Sequence, residues 1–176
     1  MIISRRILPA IFWIAMAGCT PIEYADFKGP AQGFRPVYQS ADNLPIRWDD
    51  PRTLKAPGKI YVYGNQLFVN EVGLGIHVFD NSDPSTPTAI GFINVPGNTD
   101  LAIQNGILYS NYLNKIVSVR LNQYSDLEKL EEVVFSNSAL GVSPPANHYF
   151  ECVDPDKGLV IHWLPVEITN PECYAI

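Results

Sequence analysis

The sequence KIYVYGNQLFVNEVGLGIHVFD, residues 59–80, shows how this chain folds. β-Branched and aromatic residues fill three short runs, and such residues favour extended strands. Gly64-Asn65 and Gly73-Leu74-Gly75 separate the runs, and glycine and asparagine accept the backbone angles of tight turns. The predicted strands are residues 59–63, 66–70 and 76–80.

The same order of strands and turns returns about 40 residues later along the chain. A fourth strand is predicted at 89–95, after the turn Asn81-Ser82-Asp83-Pro84. Leu108 then follows Leu67 by 41 residues, and Asn105-Gly106 is a strong hairpin signal. The strands predicted in the second unit are 101–104, 107–110, 115–121 and 133–135, and those of a partial third unit are 149–152 and 158–163. Four-stranded repeats of this length are typical of β-propeller blades, so we predict an all-β fold of about 2.5 antiparallel, propeller-like blades, a partial propeller.

One of these strands, with the turn after it, resembles a known repeat. Residues 75–87, GIHVFDNSDPSTP, are similar to the LVIVD-type repeat, and residues 151–158 and 170–173 resemble segments that follow it in lipoproteins of Bacteroidetes-type bacteria. The resemblance covers residues 35–176 and is looser in the second unit, where Arg120-Leu121-Asn122 replaces the usual start of the turn. It implies a propeller-like structure and carries no assigned activity.

The N-terminus has the layout of a secretory signal peptide. Arg5 and Arg6 precede the apolar run Ile7–Ala17, which is too short to span a bilayer. The ending Met16-Ala17-Gly18-Cys19 resembles a bacterial lipobox, with Met in place of the usual Leu. The resemblance implies cleavage after residue 18, acylation of Cys19 by diacylglyceryl and amide-linked chains, and membrane attachment through that lipid anchor. By resemblance to envelope lipoproteins, Thr instead of Asp after Cys19 implies delivery to the outer membrane, with the periplasmic or surface face left open; the alternative is an ordinary signal peptide.

The two remaining cysteines, Cys152 and Cys173, are predicted to form a disulfide, because disulfides persist outside the cytoplasm. A redox pair is the alternative, but the sequence has no Cys-x-x-Cys. The predicted organisation is a signal peptide over 1–18, lipidated Cys19 with a proline-rich, loop-like tether over 19–55, two β-repeat units over 56–136, and a partial third unit with a disulfide-tied tail over 137–176.

Composition and motifs narrow the chemistry. The chain has 176 residues, 47% hydrophobic and 17% charged, and a net charge of −6, so a nucleic-acid partner is not expected. His77 and His162 fall in equivalent strands, where a zinc site with Glu151 or Asp154 is the functional alternative to two ordinary strand positions. We predict no metal, cofactor or catalytic residue, and the ligand-binding residues stay unknown. A carbohydrate or peptide platform of aromatic side chains is a further alternative to plain core packing, and its members are Tyr112, Tyr149, Phe150 and Trp163.

The shortage of repeat units leads to the functional prediction. Ile60 and Val62 point to one face of their strand and Tyr61 and Tyr63 to the other, so both faces are apolar. A closed propeller needs at least four blades, and a blade cannot bury its faces alone. We therefore predict a non-enzymatic binding or assembly module of the cell envelope, with a protein partner or self-association through an open blade edge. The alternatives are a propeller-type hydrolase or lyase, a truncated fragment of a longer repeat lipoprotein, and a small closed sandwich covered by residues 20–55.

Overall fold

The computed structural model describes residues 27–123, 126–134 and 140–176, and this part of the chain is all-β. It contains thirteen strands in three sheets and two 3₁₀ turns, Ala41–Asn43 and Pro155–Lys157, and none of the three sheets closes on itself. The all-β prediction is confirmed. The predicted signal peptide and Cys19 lie outside the described residues, as do residues 124–125 and 135–139.

The first sheet is an antiparallel meander with one added strand. Its order is β2 (Arg47–Asp49), β6 (Thr88–Asn94), β5 (Gly75–Asp80), β4 (Gln66–Glu71) and β3 (Pro57–Tyr63). Strands β3 to β6 correspond to the four strands predicted for the first repeat. We call this sheet 1.

The second sheet repeats the meander. Its order is β10 (Asp126–Val134), β9 (Lys115–Gln123), β8 (Ile107–Tyr112) and β7 (Leu101–Gln104). Asn105 and Gly106 between β7 and β8 have φ of 51° and 72°, the left-handed values that a two-residue hairpin turn requires. Strand β10 begins well before the predicted residues 133–135. The prediction missed its first part because β10 is an exposed edge strand rich in charged residues, and its apolar pattern is weak. We call this sheet 2.

The third sheet corrects one part of the predicted loop-like tether over 19–55, since residues 30–39 form a strand. Pro30–Gln39 form a ten-residue strand, β1, which pairs antiparallel with β12 (Leu159–Thr169) along its whole length and parallel with β11 (His148–Phe150) at two positions. β13 (Cys173–Ala175) pairs with β11 on the far side. Pro36 fits this strand because β11 pairs only with Gly33 and Phe34, so the missing N–H is not needed there. We call this sheet 3.

The core lies between sheets 1 and 2. Its buried side chains come in similar number from both sheets: Phe68, Ile76, Val78, Ile93, Val95, Leu101, Ile103, Leu108, Val117 and Val119. Burial of such apolar surface is the main stabilising contribution to the fold. Polar contacts at the rim fix the stacking: the Tyr61 hydroxyl donates to the Ile103 carbonyl at 2.9 Å, and Lys59 Nζ lies 2.8 Å from Asp100 Oδ1.

Candidate functional site

The outer face of sheet 2, which points away from sheet 1, carries exposed apolar side chains. Ile116 on β9 lies directly opposite Val133 on β10, and Tyr109 on β8 lies in the next row. All three are exposed. The surface formed by Ala102, Tyr109, Ile116 and Val133 is called the sheet 2 flank below.

The outer face of sheet 1 carries a second exposed apolar surface. Ile60 and Val62 on edge strand β3 are both exposed, whereas Tyr61 and Tyr63, which alternate with them, face sheet 2. Val62 lies opposite Leu67, which lies opposite Phe79, so the apolar row continues across three strands. The surface formed by Ile60, Val62, Leu67 and Phe79 is called the sheet 1 flank.

The remainder of that outer face is covered by the connection between β2 and β3. The Arg52 guanidinium lies 3.4 Å from the centre of the Phe92 ring, a cation–π contact. The Lys55 N–H donates to Glu71 Oε1 at 3.0 Å, and the Val72 N–H donates to the Ala56 carbonyl at 3.3 Å. The connection therefore covers the part of sheet 1 beside the flank and leaves the flank open.

A buried charged cluster holds this connection in place. His77 Nε2 lies 2.9 Å from Glu71 Oε2, and Arg52 reaches the same oxygen at 3.1 Å. Because an ionised carboxylate can only accept, Nε2 carries the proton in this contact. Burial raises the pKa of Glu71, but hydrogen bonds from His77, the Lys55 N–H and Arg52 outweigh it, and the pKa lies below its ordinary value. Glu71 and His77 are almost inaccessible, so the cluster serves to anchor the covering connection.

An open cleft of about 800 Å³ lies between sheets 1 and 2, on the inner side of sheet 1. Aromatic and aliphatic residues line it, among them Trp48, Tyr63 and Leu127, and its polar lining residues include Gln66 and Asn122. The indole of Trp48 lies flat against Gly91, where a Cβ atom would come within 1.9 Å of the ring. None of the described residues that line the cleft is charged.

The three histidines of the sequence are in separate places. His77 contacts Glu71, the side chain of His162 packs against Gly73, and His148 Nδ1 lies 2.8 Å from the Ala146 carbonyl oxygen. Burial lowers the pKa of His162. In the described part of the chain, no three His, Cys, Asp or Glu side chains are placed to hold a metal ion together.

The acidic residues considered as zinc ligands have other partners. The Glu151 carboxylate accepts hydrogen bonds from Nε and Nη2 of Arg35, the shortest at 2.7 Å. The hydrogen bond from Arg35 lowers the pKa of Glu151, although burial opposes this. Asp154 caps the 3₁₀ turn Pro155–Lys157 by accepting from the Asp156 N–H at 3.1 Å. The segment 154–158 is therefore a capped turn.

The aromatic residues considered as a platform do not share one exposed surface. Trp163 is buried, donates from Nε1 to the Val142 carbonyl at 2.9 Å, and meets Phe150 edge to face. Tyr149 packs against Phe27 and Tyr174 within sheet 3, and Tyr112 packs partly buried against the core of sheets 1 and 2.

The structure contains the predicted disulfide. Cys152 and Cys173 are bonded, with Cα atoms 5.4 Å apart. The bond joins Cys152, two residues after the end of β11, to the first residue of β13, so it ties the C-terminal segment to sheet 3.

Sequence analysis singled out His77 but missed its partners Glu71 and Arg52, and it also missed the role of Trp48 in the cleft. Glu71 ends β4 and His77 lies on β5, so a hairpin brings them together, and the spacing of a strand-terminal Glu and a histidine after Gly75 was the available signal. Arg52 and Trp48 carried no such signal, because each reaches sheet 1 from a segment interpreted as a tether.

Comparison of this chain with protein families, with curated proteins and with solved structures finds no match. Among the described residues, no helix has the length and apolar character needed to cross a bilayer. By its structure, the protein belongs to the class of all-β proteins: its antiparallel sheets 1 and 2 are stacked, and two apolar flanks are exposed.

Proposed function

We propose that this protein is a lipid-anchored β-repeat protein of the cell envelope that acts as a non-enzymatic assembly module. The observation that carries the proposal is the pair of flanks, on opposite outer faces of one two-sheet stack. Soluble proteins rarely leave large contiguous apolar surfaces uncovered, and those that do so commonly use them for protein contacts. Sheets 1 and 2 are interpreted as successive propeller-like blades that lack neighbours.

The anchor forms the second part of the proposal. Acylated Cys19 would hold the folded sheets at the outer membrane, since two or more acyl chains bind a membrane stably where one does not. Attachment to a surface concentrates the protein in two dimensions, so weak contacts through the flanks become effective.

The anchor is tested by metabolic labelling with an alkyne fatty acid, comparing the full chain with Cys19→Ala. Label and membrane association in the full chain, and loss of both in the variant, support acylation of Cys19. A full chain that stays unlabelled and fractionates with soluble proteins overturns this part.

The assembly role is tested by cross-linking the anchored full chain in its own membrane and identifying what is captured. Ile116→Lys and Val62→Lys place a charge on each flank at an exposed position, so the fold should be kept. Thr88→Lys, an exposed position at the far end of sheet 1 from β3, is the matched control. We expect either flank variant to reduce capture and the control to leave it unchanged. Capture of no protein, including no second copy, overturns the assembly role.

A further inference from the structure

Sheets 1 and 2 are two copies of one repeated unit, and where they pack together each contributes a different face of that unit. A shift of 41 residues carries the hairpin β3–β4 onto β7–β8, and the pairing register is kept: Val62 opposite Leu67 becomes Ile103 opposite Leu108. The turn between β8 and β9 is one residue shorter than the turn between β4 and β5, so a shift of 40 residues carries β5 onto β9, and Phe68 opposite Val78 becomes Tyr109 opposite Ser118. Equivalent residues can therefore be compared one by one.

The sheet 1 flank is the equivalent of the face that sheet 2 buries in the core. Ile60 and Val62 are 63% and 58% exposed, and their equivalents Leu101 and Ile103 are 2% and 4% exposed. The same kind of side chain at the same register position is thus buried in one repeat and bare in the other. What covers Leu101 and Ile103 is the inner face of sheet 1, and nothing in the described chain takes that place over Ile60 and Val62.

The sheet 2 flank is the equivalent of the inner face of sheet 1, the face that covers Leu101 and Ile103. Phe68 and Ile76 of sheet 1 are 1% and 0% exposed in the core, and their equivalents Tyr109 and Ile116 are 40% and 47% exposed. Part of each half of the internal contact is therefore present a second time, uncovered, on the two outer faces of one chain.

The same equivalence between the two sheets applies to the charge pair at the rim of their contact. Lys59 of sheet 1 pairs with Asp100 of sheet 2 at 2.8 Å, and the residue equivalent to Lys59 is Asp100 itself. Repeating the stacking contact between two chains would bring Asp100 of one copy against Lys59 of the next. The signs are opposite, so the repeated contact is complementary in charge as well as in apolar surface.

We propose that copies of this protein associate head to tail, the sheet 2 flank of one copy packing on the sheet 1 flank of the next as sheet 1 packs on sheet 2. This inference rests on the proposed function and names its partner as a second copy of this chain. A second copy is the expected occupant because it supplies both complementary faces at the observed register. Such a contact is heterologous: it joins two different surfaces and either closes into a ring or continues as a row.

The internal contacts give the positions to test. The Tyr61 hydroxyl reaches the Ile103 carbonyl at 2.9 Å, and the equivalents of these residues are Ala102 on the sheet 2 flank and Val62 on the sheet 1 flank. Ala102 of one copy is therefore expected beside Val62 of the next. Both positions are exposed, so cysteine is tolerated at either one.

The experiment co-expresses two differently tagged full-length chains, Ala102→Cys and Val62→Cys, and treats the membranes with a short bis-maleimide. We expect a cross-linked pair that contains both tags, and none when either variant is paired with its own differently tagged copy. Lys157→Cys, on an exposed turn of sheet 3, replaces Val62→Cys in the matched control and should give no product with Ala102→Cys.

The outcomes separate this inference from the proposed function. Cross-linking of Ala102→Cys to Ala102→Cys indicates a face-to-face contact and overturns the head-to-tail geometry. No product between copies overturns self-association. If capture through the flanks then still recovers a different protein, the assembly role stands with another partner. If nothing is captured, both proposals fail.

Discussion

His77 Nε2 and Glu71 Oε2 lie 2.9 Å apart inside sheet 1, and both residues are about 1% exposed. The pair is joined by Arg52, whose guanidinium also lies over the Phe92 ring. A polar cluster of this kind is costly to disrupt, since loss of one member leaves buried charged or polar groups without a partner. It binds the connection between β2 and β3 to the sheet and so determines where the sheet 1 flank begins.

Replacement of Glu71 should destabilise the protein strongly. Glu71→Ala removes the acceptor for His77, Arg52 and the Lys55 N–H, and we expect a loss of about 3 kcal/mol in the free energy of unfolding. Urea denaturation measures this value. Glu128→Ala, which removes an exposed partner of Arg120, is the control and should change stability by less than about 1 kcal/mol. Equal effects of the two variants would contradict the structural role of the cluster.

The same carboxylate should make stability depend on pH. The pKa of Glu71 is below its ordinary value of 4.5 in the folded state, so its contribution is complete above pH 4.5 and is lost as pH falls through the lower folded-state pKa. Glu71→Gln has no such titration. The difference in unfolding free energy between wild type and this variant should therefore shrink as pH is lowered below 4.5. A difference that is constant between pH 7 and pH 3 would show that the charge of Glu71 contributes nothing.

Loss of the disulfide should loosen the C-terminal segment. The double variant Cys152→Ser, Cys173→Ser opens a link between residues 21 positions apart, for which chain entropy gives about 3 kcal/mol. We expect a lower denaturation midpoint and faster proteolysis near β13. Reduction of the wild type should reproduce both effects and leave the double variant unchanged. A reductant effect of the same size on the double variant would assign it to something other than this bond.

A methyl group at residue 91 should displace Trp48. The Cβ of Gly91→Ala would lie within 1.9 Å of the indole, which is closer than any real contact. We expect a loss of about 2 kcal/mol by overpacking, with a shift of the tryptophan fluorescence because the wall of the cleft moves. Gly64→Asn is the control, because its Cβ meets nothing within 4 Å and asparagine tolerates the φ of 58° there. A Gly91→Ala variant with wild-type stability and emission would place Trp48 elsewhere.

The strands that form the two meanders were predictable from the sequence because their signals are local. Turns such as Asn105-Gly106 fix the hairpins, and alternation at Ile60 to Tyr63 fixes which side chains share a face. Strand β1 was not predictable in this way. Its prolines resemble a loop, and its partner β12 begins at Leu159, about 120 residues further along the chain.

The candidate site divides in the same manner. The presence of apolar residues on both faces of β3 could be derived from the sequence, and so could the pairing of Cys152 with Cys173. Which face stays bare could not, because exposure depends on what the rest of the chain covers. The position of Arg52 over Phe92 is an example: no sequence period connects them, yet their contact covers part of one outer face.

The sequence by itself determined the all-β class, the hairpin registers and the choice of cysteine partners, since these follow from neighbouring residues and from a count of thiols. Only the tertiary structure decided that the segment before the first repeat joins the third sheet, that Glu71, His77 and Arg52 meet, and that part of one face of each repeat is left exposed. These features depend on long-range packing, because whether a surface is buried depends on which distant segment of the chain contacts it in the folded state.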